Sequence, residues 1–145
     1  MKGERTMAQT VRDIMTPQPI AVPAETGLTE TARYMREEGV GELMVTQDGT
    51  LCGVVTDRDI VVRAVAEHRD PDSTTAGDVA SRELVTVTPS DGLDSVVKLM
   101  REHSVRRLPV VEQGHPVGMV SLGDMAMERD ERSALADITA EPPNE

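Results

Sequence analysis

Aromatic side chains are nearly absent from these 145 residues: there is no tryptophan, no phenylalanine and a single tyrosine, Tyr34. A core must therefore be aliphatic, built from Val, Leu, Ile, Ala and nine Met. Any pocket for a planar ring must clamp it between branched side chains, which disfavours single-stranded nucleic acids that rely on aromatic platforms. Positive charge is also scarce. Lys and Arg number 15 against 26 Asp and Glu, a formal net charge of −11, so neither nucleic acid nor an anionic membrane surface is an expected partner. In the tail, Glu128, Asp130, Glu131, Asp137, Glu141 and Glu145, less Arg129 and Arg132, supply about four of those charges.

The lone cysteine, Cys52, excludes an intrachain disulfide framework and fits a reducing, cytoplasmic setting. Inside Leu51-Cys52-Gly53-Val54-Val55 it reads as a small buried hydrophobe. No apolar stretch approaches the ~20 residues of a membrane span, and no apolar segment follows Lys2 and Arg5 to make a secretory signal. His68, His103 and His115 lack metal-ligand spacing to one another or to Cys52, so no metal site is expected. Neither a nucleophile elbow nor a phosphate-cradling loop occurs, and no group of residues assembles a reacting constellation. The reading is a non-enzyme.

What the chain does have is a repeat. Gly27 to Ile60 aligns without a gap on Gly92 to Met125, at a constant offset of 65 positions with 12 identities over 34 positions. Gly27-Leu28, Met35-Arg36-Glu37, Val40, Leu43, Val45, Gly49, Gly53, Val55 and Asp59 recur in the second copy. Each copy is too short to bury a good core alone, so the two must pack together and leave clefts where small ligands bind. The expected organisation is a flexible leader (1–8), a first repeat (9–68), a polar linker (69–75), a second repeat (76–127) and a frayed or disordered acidic tail (128–145).

Each copy reads as the same string of elements, an α/β (α+β) unit. A short strand, Ile20-Ala21-Val22 or Leu84 to Val87, is ended by Pro23 or Pro89. A helix follows with Leu28, Ala32 and Met35, or Leu93, Val97 and Met100, on one face. Gly39 closes the first helix as a left-handed cap, and Ser104 is a poorer stop in the second. A hairpin then turns at Asp48-Gly49 or near Gly114. A last helix starts after Thr56 or Ser121, long in the first copy and apolar along Ile60, Val61, Ala64 and Val65.

At that strand-to-helix junction both copies carry one signature: Gly53-Val54-Val55-Thr56-Asp57-Arg58-Asp59 and Gly118-Met119-Val120-Ser121-Leu122-Gly123-Asp124. A hydroxyl residue followed three positions later by an acid is a helix capping box. The same atoms suit a nucleotide: the carboxylate accepts from ribose hydroxyls, and the hydroxyl with first-turn N–H groups holds a sugar or phosphate oxygen. The glycine admits close approach of a ligand or a facing strand.

These features together resemble a tandem pair of cystathionine-beta-synthase (CBS) domains, a Bateman module. The resemblance rests on the two signatures, on Leu108-Pro109-Val110-Val111, and on the opening Val11-Arg12-Asp13-Ile14-Met15-Thr16-Pro17, echoed by Ala76-Gly77-Asp78-Val79-Ala80-Ser81. It covers roughly residues 9–127. It implies two β-α-β-β-α units packed through their sheets with pseudo-two-fold symmetry, and clefts that take AMP, ADP, ATP, S-adenosylmethionine or NAD. Carried over, Asp59 and Asp124 would bind ribose, with Thr56 and Ser121 beside the ribose or phosphate. Adenine would lie near Ile20, Val22 and Leu43, or Val85, Val87, Leu108 and Pro109. It further implies a homodimer.

The copies differ where charge matters. Arg106-Arg107 precede the second hairpin and Gly41-Glu42 the first, while Arg58 faces Gly123 in the signature. Arginine suits phosphate and glutamate repels it, so the clefts should differ, with a phosphate site near Arg106 and Arg107. The expectation is a cytoplasmic regulatory module that needs no cofactor beyond a bound adenosine nucleotide and acts on a separate protein effector. The alternative is a ligand-free dimeric scaffold or stress-response protein whose signatures are only helix caps.

Overall fold

A computed structural model describes residues 9–17 and 19–128. The leader over 1–8 and the tail beyond 128 lie outside the described residues. In chain order the elements are α1 (Val11–Ile14), β1 (Thr16–Pro17), β2 (Ala21–Pro23), α2 (Leu28–Glu38), β3 (Glu42–Gln47), β4 (Thr50–Thr56) and α3 (Asp57–Ile60). A π-helical turn over Val61–Val65 continues α3. Then come α4 (Ala76–Val79), α5 (Leu93–His103), β5 (Arg107–Glu112), β6 (His115–Ser121) and α6 (122–128).

Local chemistry sets these boundaries. The buried stripe of α2 is Leu28, Thr31 and Met35, with Ala32 on the exposed side. A threonine is tolerated there because its hydroxyl donates to the Gly27 carbonyl at 2.8 Å. Gly39 ends α2 in the left-handed region at φ 68°, and Ser104 ends α5 the same way at φ 55°. In the hairpins, Asp48 and Gly49 (φ 53° and 81°) match Gln113 and Gly114 (φ 53° and 83°), the paired positive dihedrals of a tight turn whose twist suits the flanking strands. The first copy's last helix is less regular than its apolar run suggests, since four α-helical residues give way to the π turn.

The strands form two three-stranded sheets, β2-β3-β4 and β1-β6-β5. β1, from the start of the chain, pairs antiparallel with β6 of the second repeat, Thr16 opposite Met119 and Pro17 opposite Gly118. Conversely Ser81, which leads into the second repeat, exchanges backbone hydrogen bonds with Val54 at 2.9 and 3.0 Å. The cores follow the same exchange. Val11 is buried with Val87, Val96, Met100, Leu108, Val110 and Val120. Ala76, Val79 and Ala80 are buried with Val22, Leu28, Met35, Leu43, Val45 and Val55.

The expected strand over Leu84 to Val87 is not formed; only Val87 makes a bridge, to Val110. Two prolines remove donors. The Ala24 N–H donates to the Thr46 carbonyl at 2.8 Å in the first repeat, and its equivalent is Pro89; the second is Pro109. In the first repeat the Met44 N–H donates to the Ile20 carbonyl at 3.1 Å, and the position equivalent to Met44 is Pro109, which has no N–H. Proline is tolerated because β5 is an edge strand, whereas β3 is central in its sheet. On the other side, Pro23 is the last residue of β2 rather than its terminator.

Candidate functional site

Each signature folds as a strand running into a helix, and both make a complete capping box. The Thr56 N–H donates to Asp59 Oδ2 at 2.9 Å and the Asp59 N–H to Thr56 Oγ1 at 3.0 Å. In the second copy the Ser121 N–H donates to Asp124 Oδ2 at 3.0 Å and the Asp124 N–H to Ser121 Oγ at 3.1 Å. The preceding glycines serve the facing strands. A Cβ on Gly53 would stand 2.9 Å from the Ser81 carbonyl oxygen, and one on Gly118 would stand 2.9 Å from that of Thr16.

A cleft of about 320 Å³ lies between the repeats and joins the first signature to the second repeat's hairpin. Thr56 and Asp59 line one side; Leu84, Val85, Val105, Leu108 and Pro109 line the other. The strand that Pro89 and Pro109 prevent is the one that would run through Leu84 and Val85. Arg63, Arg107, Glu42, Glu83 and Asp59 supply the charges. Arg63 projects from the π turn: its Nε stands 3.8 Å from Asp59 Oδ1, and it donates to the Val79 carbonyl at 3.2 Å. Because Asp59 Oδ2 is committed to the cap, Oδ1 is the oxygen directed at cationic or donor groups.

Glu42 stands 4.0 Å from Arg107, close enough for attraction but beyond a hydrogen bond. Its Oε1 is sealed from solvent and has no hydrogen-bond partner. Burial pushes the Glu42 carboxyl above its ordinary value, Arg107 pulls it partly back, and nearby Asp59 raises it further.

Of the residues singled out in the sequence, Thr56, Asp59, Val85, Arg107, Leu108 and Pro109 are brought together in this cleft. The others are placed elsewhere. Val22 and Leu43 are sealed in the first core, Val87 in the second, and Ile20 packs against the first. Arg58 and Arg106 are exposed, and the Arg106 carbonyl accepts from the Leu122 N–H at 2.7 Å. Asp124 lines a smaller depression of about 220 Å³ with Asp13, Ile14, Met127 and Glu128, and Ser121 is its capping partner. Arg107 and Glu42, which the sequence assigns to different clefts, face each other in one.

Sequence reasoning missed Arg63. Its signal was the spacing Asp59 to Arg63, an i,i+4 acid–base pair on one helix, obscured because the run Ile60 to Val65 reads as apolar. Among the described residues no group of His, Cys, Asp and Glu is arranged to hold a metal ion, and no helix is long and apolar enough to cross a membrane.

Comparison with known proteins agrees with this architecture. The CBS domain family matches twice, over residues 11–65 and 76–131. The CBS domain-containing protein YhcV of Bacillus subtilis is 40% identical over 133 residues, covering 89% of this chain and 94% of that protein. The crystal structure of Hypoxic Response Protein I with two coordinated zinc ions superimposes with a TM-score of 0.76 at 37% identity, covering 83% of this chain and 98% of that one. A CBS domain pair solved in complex with 5′-methylthioadenosine and S-adenosyl-L-methionine shares the fold, with a TM-score of 0.73 at 23% identity, covering 85% and 97%. Two family matches in the order of the internal repeat, with relatives aligned along nearly their whole length, place the chain in the CBS-domain family as a tandem pair.

Proposed function

We propose that this CBS pair is a non-catalytic sensor that binds an adenosine-containing ligand in the cleft between its repeats. One observation carries the reading: the cleft sets Thr56 and Asp59 of one repeat against the apolar walls Val85, Leu108 and Pro109 of the other. A volume of about 320 Å³ is at the lower end of ligand pockets, which run roughly 300–1,000 Å³. Asp59 is positioned for ribose hydroxyls, the branched side chains for a purine, and Arg107 and Arg63 for polar substituents. Because the ligand touches both repeats, its binding favours one packing arrangement over others and changes the surface offered to an effector protein. The protein acts as a homodimer in the cytoplasm, its contact surface including the apolar side chains exposed on the helices after each signature.

The capping boxes support a second reading, a ligand-free scaffold, because Thr56, Asp59, Ser121 and Asp124 already satisfy one another. Isothermal titration against AMP, ADP, ATP, S-adenosylmethionine and NAD separates the two. Saturable binding by the native protein, lost in Asp59→Asn with the melting temperature little changed, is the expected result. Silence across the panel to millimolar concentration would leave the scaffold.

A further inference from the structure

Each guanidinium lining the cleft already faces a carboxylate. Arg107 is 4.0 Å from Glu42 and Arg63 is 3.8 Å from Asp59. Arg63 also spends a donor on the Val79 carbonyl. Glu83 adds a third carboxylate to the lining, so acidic groups outnumber basic ones where a phosphate chain would have to sit. Glu42 stands out because its Oε1 is sealed from solvent and accepts no hydrogen bond. A buried acceptor without a donor is costly, and a buried charge more so. A ligand group that brings an N–H, an O–H or positive charge relieves that cost, while one that brings several phosphate charges adds repulsion to it.

We infer that Glu42 determines the charge specificity of the cleft: it favours adenosyl ligands that present a cation or a hydrogen-bond donor and disfavours nucleoside triphosphates. This rests on the sensor reading and narrows it. The equivalent residue of the other repeat is Arg107 itself, so selectivity comes from a position at which the two copies have diverged to opposite sign.

The test is calorimetric titration of the full chain with S-adenosylmethionine, AMP and ATP without added metal, in native protein and in Glu42→Gln. In the native protein, affinity should fall in that order, by at least tenfold from first to last. Glu42→Gln should narrow the spread at least fivefold, by weakening S-adenosylmethionine and tightening ATP. Glu42→Ala provides the same readout should the glutamine variant fold poorly. Native protein that binds ATP as tightly as S-adenosylmethionine overturns the inference whatever the variants do. Binding whose spread the variants leave unchanged overturns it too, while the sensor reading survives. Absence of binding to all three in every form overturns the inference, and silence toward ADP and NAD as well overturns the sensor reading with it.

Discussion

Glu42 and Arg107 occupy equivalent positions of the two repeats, 65 residues apart, and their side chains meet at 4.0 Å. Side chains near a pseudo-two-fold axis face their own counterparts. A faithful duplication would therefore set two glutamates or two arginines against each other. Divergence to opposite charge turns that repulsion into an ion pair. The hairpin tips show the same geometry away from the cleft: the Leu51 N–H donates to the Gly114 carbonyl at 2.9 Å, and His115 Nδ1 lies 2.9 Å from the Gly49 carbonyl.

The ion pair has a pH signature. The Glu42 carboxyl is held above its ordinary value of 4.5, chiefly by burial, so the folded state holds this proton more tightly than the unfolded state. That contribution to stability is present below 4.5 and erodes as pH rises through the folded value. Asp13 and Asp78 are opposite, each lowered below 3.8 first by a backbone N–H, from Gln9 and Thr10 on Asp13 and from Thr75 on Asp78. Their contribution is present above 3.8 and is lost as pH falls through their folded values. Thermal melts from pH 3 to 7 should show Glu42→Gln more stable than the native protein at pH 7 and equal to it in acid. Asp78→Asn should be less stable at pH 7 and converge with the native protein in acid.

Stability and binding should separate at the two signatures. Thr56→Ala and Ser121→Ala each remove a side-chain cap, costing about 1 kcal/mol, and should lower the melting temperature to a similar degree. Only Thr56→Ala touches the large cleft, so it alone should weaken nucleotide binding. Equal losses of affinity would argue for two equivalent sites.

Gly53 and Gly118 are held by backbone proximity. Gly53→Ala and Gly118→Ala place a methyl group 2.9 Å from the Ser81 and Thr16 carbonyl oxygens, and each should destabilise by about 1–3 kcal/mol. Gly92, where a Cβ meets nothing within 4 Å, is the clash-free control; it is the N-cap of α5, so Gly92→Ala should cost about 0.5–1 kcal/mol through capping alone. Urea denaturation of the three variants measures this directly.

Pro109 and Met44 should respond in opposite ways to exchange. Met44→Pro breaks the 3.1 Å bond to Ile20 in a central strand, and should cost at least about 1 kcal/mol. Pro109→Met restores a donor opposite Val85. Hydrogen exchange should then detect a protected amide at 109, and nucleotide affinity should fall as the Leu84–Val85 segment closes onto β5.

Self-association has a direct probe. Val61, Val62, Val65, Leu122 and Met127 are 44–65% exposed, unusual for large apolar side chains on helices of an acidic protein. If the proposed homodimer uses this surface, size-exclusion chromatography with light scattering should give a dimer for the native protein and a monomer for Val65→Asp. An unchanged mass in the variant would exclude this surface.

Much of this was legible in the sequence because it is local. Asp48-Gly49 announces a tight turn, Gly39 a left-handed stop, and Thr56 with Asp59 a helix start; each depends on a few adjacent residues. What escaped is what depends on the partner across the fold. The apolar run Leu84 to Val87 has strand chemistry, but its pairing fails through missing N–H groups at residues 89 and 109. Ala32 reads as part of the buried face of α2, but Thr31 takes that place because the Gly27 carbonyl satisfies its hydroxyl. Arg63 enters the cleft from a helix whose π turn no periodicity reveals. The union of Glu42 with Arg107 needed the axis, which no single position encodes.

The exchanged lead-in segments make the two repeats inseparable. A fragment ending at residue 68 would keep Val11 but lose the Val96 and Val110 it packs with, and would lack the Ala76, Val79 and Ala80 that complete its own core. A fragment starting at residue 76 would have the reverse deficit. Cutting the linker therefore yields two halves that fold by finding each other rather than two domains. In the intact chain, segments distant in sequence must meet before either core closes, which slows folding relative to a protein of local contacts. The same threading means that a shift in one repeat is transmitted to the interior of the other through the backbone itself.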